Sequence, residues 1–90
     1  MSKVNKYQKE ISSFTREEDE KFSESWERFK VLLIRCPPHG YKKWRLPQFF
    51  YQGLTQTNCS MIESINRGAF LSLTGDLAYK LLDKLSDNLQ

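Results

Sequence analysis

The stretch from Glu20 to Cys36, EKFSESWERFKVLLIRC, constrains the fold of this chain more than any other. At 100° per residue, Phe22, Trp26, Phe29 and Leu33 fall within one narrow stripe, flanked by Leu32 and Cys36. A stripe this apolar cannot face water, so the helix has to lie against other segments. Val31 and Ile34 fall off the stripe and are left for another segment or another molecule to cover.

Ninety residues leave room for one core and no second one. A chain of this size buries only about 60–65 % of its unfolded surface. Its stability is therefore small, and association with a copy of itself would add burial. Composition is that of a folding chain, 39 % hydrophobic and 13 % aromatic. A net charge of +3 is too mild to demand a nucleic-acid partner.

Cys36 and Cys59 make no disulfide framework and suit a reducing compartment. The opening MSKVNKYQKE lacks the apolar core of a signal peptide. The longest aliphatic run, Val31 to Ile34, is too short to cross a bilayer. The expectation is a cytoplasmic protein, or one held in a particle made in the cytoplasm.

Periodicity predicts five short to medium helices and no strand. The first spans about Lys3 to Ser13, with Val4, Tyr7, Ile11 and Phe14 stepping along one face. The acidic run Glu17 to Glu20 suits the positive start of the second helix, with Asp19 as its N-cap. On that helix Glu24 precedes Arg28 by four residues, the favourable order for an ion pair. Pro37 and Pro38 end it. A third helix fits Pro47 to Leu54. A fourth runs from a Thr55 cap to about Asn66, burying Met61, Ile62 and Ile65 and stopped by Gly68. Thr74 caps the last, whose apolar face is Leu77, Ala78, Leu81, Leu82 and Leu85.

Phe49, Phe50 and Tyr51 are three aromatics in a row. A helix cannot bury three neighbours on one face, so at least one is expected to point outward. Phe50 aligns with Leu46 and Leu54 as the core residue. Phe49 or Tyr51 is left for a partner, where exposed aromatics are enriched, or for the N-terminal helix to cover.

Chemistry-bearing residues are sparse. Cys36 and His39 form a Cys-x-x-His pair, but a closed zinc site needs four ligands and only Cys59 remains. No metal and no cofactor is expected. A lone histidine in a turn offers no nucleophilic or acid–base device, so the chain reads as a non-enzyme. Tyr41, Lys42, Lys43, Trp44 and Arg45 interleave aromatics with positive charge, as nucleic-acid surfaces do. The plainer reading docks Trp44 on the core and leaves the lysines in water.

Taken in order, the segment from Phe14 to Lys30, then RCPPHGYKKW, FFYQGL and GAFLSLTGDLAYKLLDKL, resemble the gag polyprotein of plant gypsy-type long-terminal-repeat retrotransposons. The likeness covers nearly the whole chain and lies in the order and spacing of the pieces. In that family this region is similar to the C-terminal half of the retroviral capsid protein. Phe14, Glu20, Phe22, Arg28 and Phe29 stand at positions matching its major homology region. Arg16 and Glu17 replace that motif's Gln and Gly, Gly75 stands in place of a proline, and Pro38 in place of a histidine. The gag zinc knuckle is absent from this sequence.

The resemblance implies an all-α, capsid-like domain over 15–88, preceded by an amphipathic helix or linker over 1–14. It also implies contact with copies of itself or with other gag chains, around element RNA, in an intact, truncated or domesticated setting. The core is expected to hold Phe22, Trp26, Phe29, Leu33, Phe50, Met61, Ile62, Leu81 and Leu82. Self-association is expected through Val31, Ile34, Phe49 and Tyr51. The alternative is a small RNA- or DNA-binding module using Lys42, Lys43 and Arg45, and a third reading is a fragment that joins and poisons another gag particle. No membrane and no small-molecule substrate is expected. Trp26→Ala should unfold the domain, since a buried tryptophan is worth about 3–5 kcal/mol against a small total stability. Thermal melting followed by circular dichroism checks it, and an unchanged melt would place Trp26 outside the core.

Overall fold

Capping chemistry sets the helix boundaries. The computed structural model describes residues 3–35, 40–68 and 70–88. Among these residues are five α-helices: α1 (Lys3–Ser12), α2 (Phe22–Arg35), α3 (Leu46–Gln52), α4 (Gln56–Ile65) and α5 (Gly75–Asn88). Short 3₁₀ turns at Lys43–Arg45 and Phe70–Ser72 precede α3 and α5, and no strand occurs among the described residues. The fold is all-α.

Asp19 does not cap α2. The helix starts at Phe22, and Glu24 accepts the Lys21 backbone N–H at 2.8 Å, the returning half of a capping box. Glu24 is thereby held at the helix start, and Arg28 turns to Glu20 instead of to Glu24. Thr55 caps α4 as expected, its hydroxyl accepting from the Asn58 N–H, and Thr74 does the same for Leu77 in α5. The stop after α4 takes two residues. Arg67 adopts the left-handed conformation (φ 54°), and Gly68 follows at φ 75° with its N–H on the Glu63 carbonyl at 2.8 Å. This is a Schellman closure with arginine where glycine is usual.

Phe50 is the centre of the core. Fully buried, its ring meets those of Phe14, Phe22, Trp26 and Phe29 at centroid distances between 4.8 and 5.8 Å. Trp26 lies at one side of this cluster and reaches Tyr79 of α5 at 5.0 Å. Ile11 and Phe14 are buried in the same core, so α1 packs as part of it. Val4 lies outside the described side chains.

Of the three aromatics of α3, Phe49 and Phe50 are buried and Tyr51 is the one left part-exposed. Phe49 is buried beneath Tyr41, with ring centroids 4.8 Å apart. Tyr51 is half-buried and stacks on Phe70 at 4.9 Å. One face cannot hold three neighbours, so this seven-residue helix buries Phe49 and Phe50 and leaves Tyr51 at the margin.

Ile62, Leu82, Ala78 and Leu85 are buried, while Leu33, Met61 and Leu81 are half-buried at the margin. Ile65 and Leu77 are exposed, against expectation. Ile62 is the one buried residue of α4, so Ile65 at the end of that helix has no cover. Leu77 sits about 140° around α5 from Leu82 and faces away. Trp44 is exposed too, standing on the 3₁₀ turn beside α5.

Two glycines allow backbones to touch. A Cβ on Gly53 would lie 2.0 Å from the Phe14 carbonyl oxygen, although its φ of −88° suits any residue. The demand at this position is for space. The Gly53 carbonyl accepts the Arg16 N–H at 2.8 Å, joining the end of α3 to the segment before α2. A Cβ on Gly75 would lie 2.7 Å from the Trp44 Cα. Gly53→Ala should therefore cost about 3 kcal/mol and lower Tm by on the order of 15 °C, because only backbone can move aside. Differential scanning calorimetry reads this directly, and a shift under about 3 °C would contradict the close approach.

Candidate association surface

Residues 14–29 form a tied loop and helix that set how α2 is presented. Glu20 sits before α2 and receives the Arg28 guanidinium in a two-point pair, Nε–Oε2 at 2.7 Å and Nη2–Oε1 at 2.9 Å. The same Nη2 donates to the Thr15 carbonyl at 2.8 Å, and the guanidinium lies 4.3 Å from the centre of the Phe14 ring. Arg28 thus fastens the loop to the helix by ion pair, hydrogen bond and ring contact. Its hydrogen bonds hold the Glu20 carboxyl below the usual range, against the opposing effect of partial burial.

Arg16 and Glu17 take part in this arrangement. Arg16 donates from Nη2 to the Glu20 carbonyl and from Nη1 to Asn58 Oδ1 at 2.8 Å, linking the loop to the first turn of α4. The Glu17 N–H donates to Glu20 Oε1 at 3.0 Å. Glu17 is not among the residues with positive φ, so its side chain brings no backbone strain.

With the buried side of α2 occupied, its outer side carries Glu24, Glu27, Val31, Ile34 and Arg35, all exposed. Val31 is 43 % exposed and Ile34 74 %, so this helix leaves two branched aliphatics in water on one face. Val31 forms a crest between two grooves. One runs toward α1 and includes Phe14, Leu32 and Arg35; the other runs toward α5 and includes Glu27, Leu33, Ile34 and Tyr79. Of the four residues expected to mediate self-association, Val31 and Ile34 are on the surface together. Phe49 is buried and belongs to the core, while Tyr51 is half-buried, packed against the core beside Phe70.

Lys42, Lys43, Trp44 and Arg45 are all exposed. Lys43 pairs with Asp76 at 2.7 Å, a contact of small energy because both side chains are well solvated. Arg45 lies 4.9 Å from the Phe49 ring and 5.9 Å from that of Trp44. The segment presents an aromatic and three cations to water.

Two residues of consequence escaped the sequence reading. Asp83 of α5 accepts the Trp26 indole N–H at 2.6 Å and the Lys30 ammonium at 3.0 Å. Burial alone would raise its carboxyl, but these two donors outweigh it and hold it low. A buried indole needs an acceptor, which signals that some such residue exists but not which. Asn58, reached by Arg16, had no signal beyond its place in a helix start.

Cys36 and His39 lie outside the described residues. Cys59 is half-buried, its thiol donating to the Tyr51 carbonyl at 3.5 Å and pushed up by burial. Among the described residues no group of three His, Cys, Asp or Glu side chains converges on one point, and no helix is long and apolar enough to cross a membrane. No family model, no curated protein and no solved structure matches this chain.

The Glu20–Arg28 pair makes stability depend on pH with a definite sign. A carboxyl lowered on folding contributes above its unfolded pKa and loses that contribution as pH falls through the lower folded value. Glu20→Gln should cost about 1–2 kcal/mol at neutral pH, as for a partly exposed hydrogen bond to a charged group. The gap to the wild type should close on acidification below the ordinary carboxylate range. Urea midpoints measured from about pH 7 to about pH 3 test this, and a gap independent of pH would show the pair contributes nothing through charge.

Proposed function

We propose that this chain is a structural domain of retrotransposon gag type, similar to the C-terminal half of the retroviral capsid protein, that self-associates in building a cytoplasmic particle. The observation that carries the reading is the Glu20–Arg28 pair, fixed at the two positions the resemblance marks and joining loop to helix at 2.7 and 2.9 Å. It is supported by the all-α fold and by Val31 and Ile34, exposed on the helix which that pair orients. The mechanism is burial of apolar area between copies, with no chemical step. RNA contact, where it occurs, is weak and electrostatic.

One observation favours a second reading. Trp44 is 53 % exposed on a segment that also carries Lys42, Lys43 and Arg45, an arrangement able to stack a base and contact phosphates. Under that reading the protein is a small nucleic-acid-binding module.

Sedimentation over a concentration series, with and without RNA, separates the two. The gag reading expects self-association without RNA, weakened when Ile34→Ser removes the larger exposed apolar group. A monomer that binds RNA, more weakly as salt rises, would replace it with the nucleic-acid reading. A monomer that joins only a full-length gag chain would mark a particle-poisoning fragment.

A further inference from the structure

The outer face of α2 has an order of charge that selects one kind of partner. From the N-terminal to the C-terminal end its exposed residues read Glu24, Glu27, Val31, Ile34, Arg35: acidic, then apolar, then basic, while Arg28 and Lys30 at the margins are already paired, with Glu20 and with Glu27 and Asp83. Glu27 holds Lys30 at 2.9 Å, and its side chain stays 64 % exposed, with acceptor capacity to spare. Arg35 is exposed at the far end and forms no ion pair among the described residues.

A second α2 laid in parallel would set acid on acid and base on base. Laid antiparallel, it sets each basic end on an acidic one. We infer that the α2 outer face is a two-fold contact between two copies of this chain, with the helices antiparallel and crossing at Val31. This rests on the self-association reading and adds which surface, which partner and which orientation.

Helical geometry gives the pairing. An axis passing beside Val31 sets Val31 on Val31 and brings Arg35 level with Glu27 of the second copy, each four residues from the crossing, with Glu24 three residues farther out; Arg35 starts on the α1 side of the crest and reaches over it to Glu27. Ile34 and Glu27 lie on the same side of the Val31 crest. Each Ile34 therefore comes over the groove that Glu27, Leu33 and Tyr79 line on the other copy. Because the contact is isologous, every favourable pair occurs twice and the assembly closes as a dimer. One helix face is smaller than the roughly 800 Å² per partner of a standard interface, so the contact is a weak one, of the kind repeated in larger assemblies.

Charge reversal tests orientation as well as location. Sedimentation equilibrium is measured on the full chain for the wild type, E27R, R35E and the double variant E27R/R35E, with melting curves as the control for folding. Each single variant should weaken self-association by about threefold to tenfold, since two opposed pairs become like-charged in each dimer. The double variant should return to within about threefold of the wild type. An equal mixture of the two single variants should associate as the wild type does, because each then supplies the charge the other lacks. That last result requires contact between chains and cannot arise from the Glu27–Lys30 pair within one. Single variants that associate like the wild type would move the contact elsewhere and leave the self-association reading standing. A double variant or a mixture as weak as the singles would overturn the antiparallel pairing. A wild type that stays monomeric at every concentration would overturn both.

Discussion

The Phe50 ring is where the chain converges. Phe14 precedes α2, Phe22, Trp26 and Phe29 belong to it, and all four rings lie within 5.8 Å of Phe50. Phe50 itself stands on a seven-residue helix. Helices this short do not persist alone in water, since nucleation costs more than one or two turns return. The centre of the core therefore exists only when its neighbours are docked, which ties formation of α3 to packing by α1, α2 and α5. Gly53 is part of the same constraint, because the end of α3 reaches the Phe14 carbonyl only without a side chain between them.

Around that centre, polar groups fix orientation where apolar burial would not. Asp83 fixes the roll of α2 by holding the Trp26 indole, and the two-point Glu20–Arg28 pair fixes it from the other flank of the helix. Both are charge-assisted and directional, and neither is deeply buried, so they specify geometry without the desolvation cost of an interior ion pair. The result is a defined outer face of α2.

Much of the fold was legible in the sequence. The stripe of Phe22, Trp26 and Phe29 is buried as its spacing required, and Thr55 and Thr74 cap the helices they precede. Local patterns report which face of a helix is apolar. They do not report how many neighbours a helix has, which is why Phe49 was counted among the surface candidates: the ring of Tyr41, from the segment leading into α3, covers it. Trp44, Ile65 and Leu77 failed in the other direction, because apolar residue type alone does not supply a cover. For the surface, Val31 and Ile34 were readable as off-stripe residues on the strongest helix of the chain. The partners of Arg16 and Trp26, at 42 and 57 residues' separation, were not.

The order of charges on α2 has a consequence within a single helix as well. Backbone dipoles leave a helix positive at its start and negative at its end, so Glu24 near the first turn and Arg35 in the last each offset their own terminus. A helix charged in this way carries, by the same arrangement, the surface that an inverted copy of it would match. Selection for helix stability in the lone chain and selection for a dimer would favour the same residues, so neither pressure needs to have preceded the other.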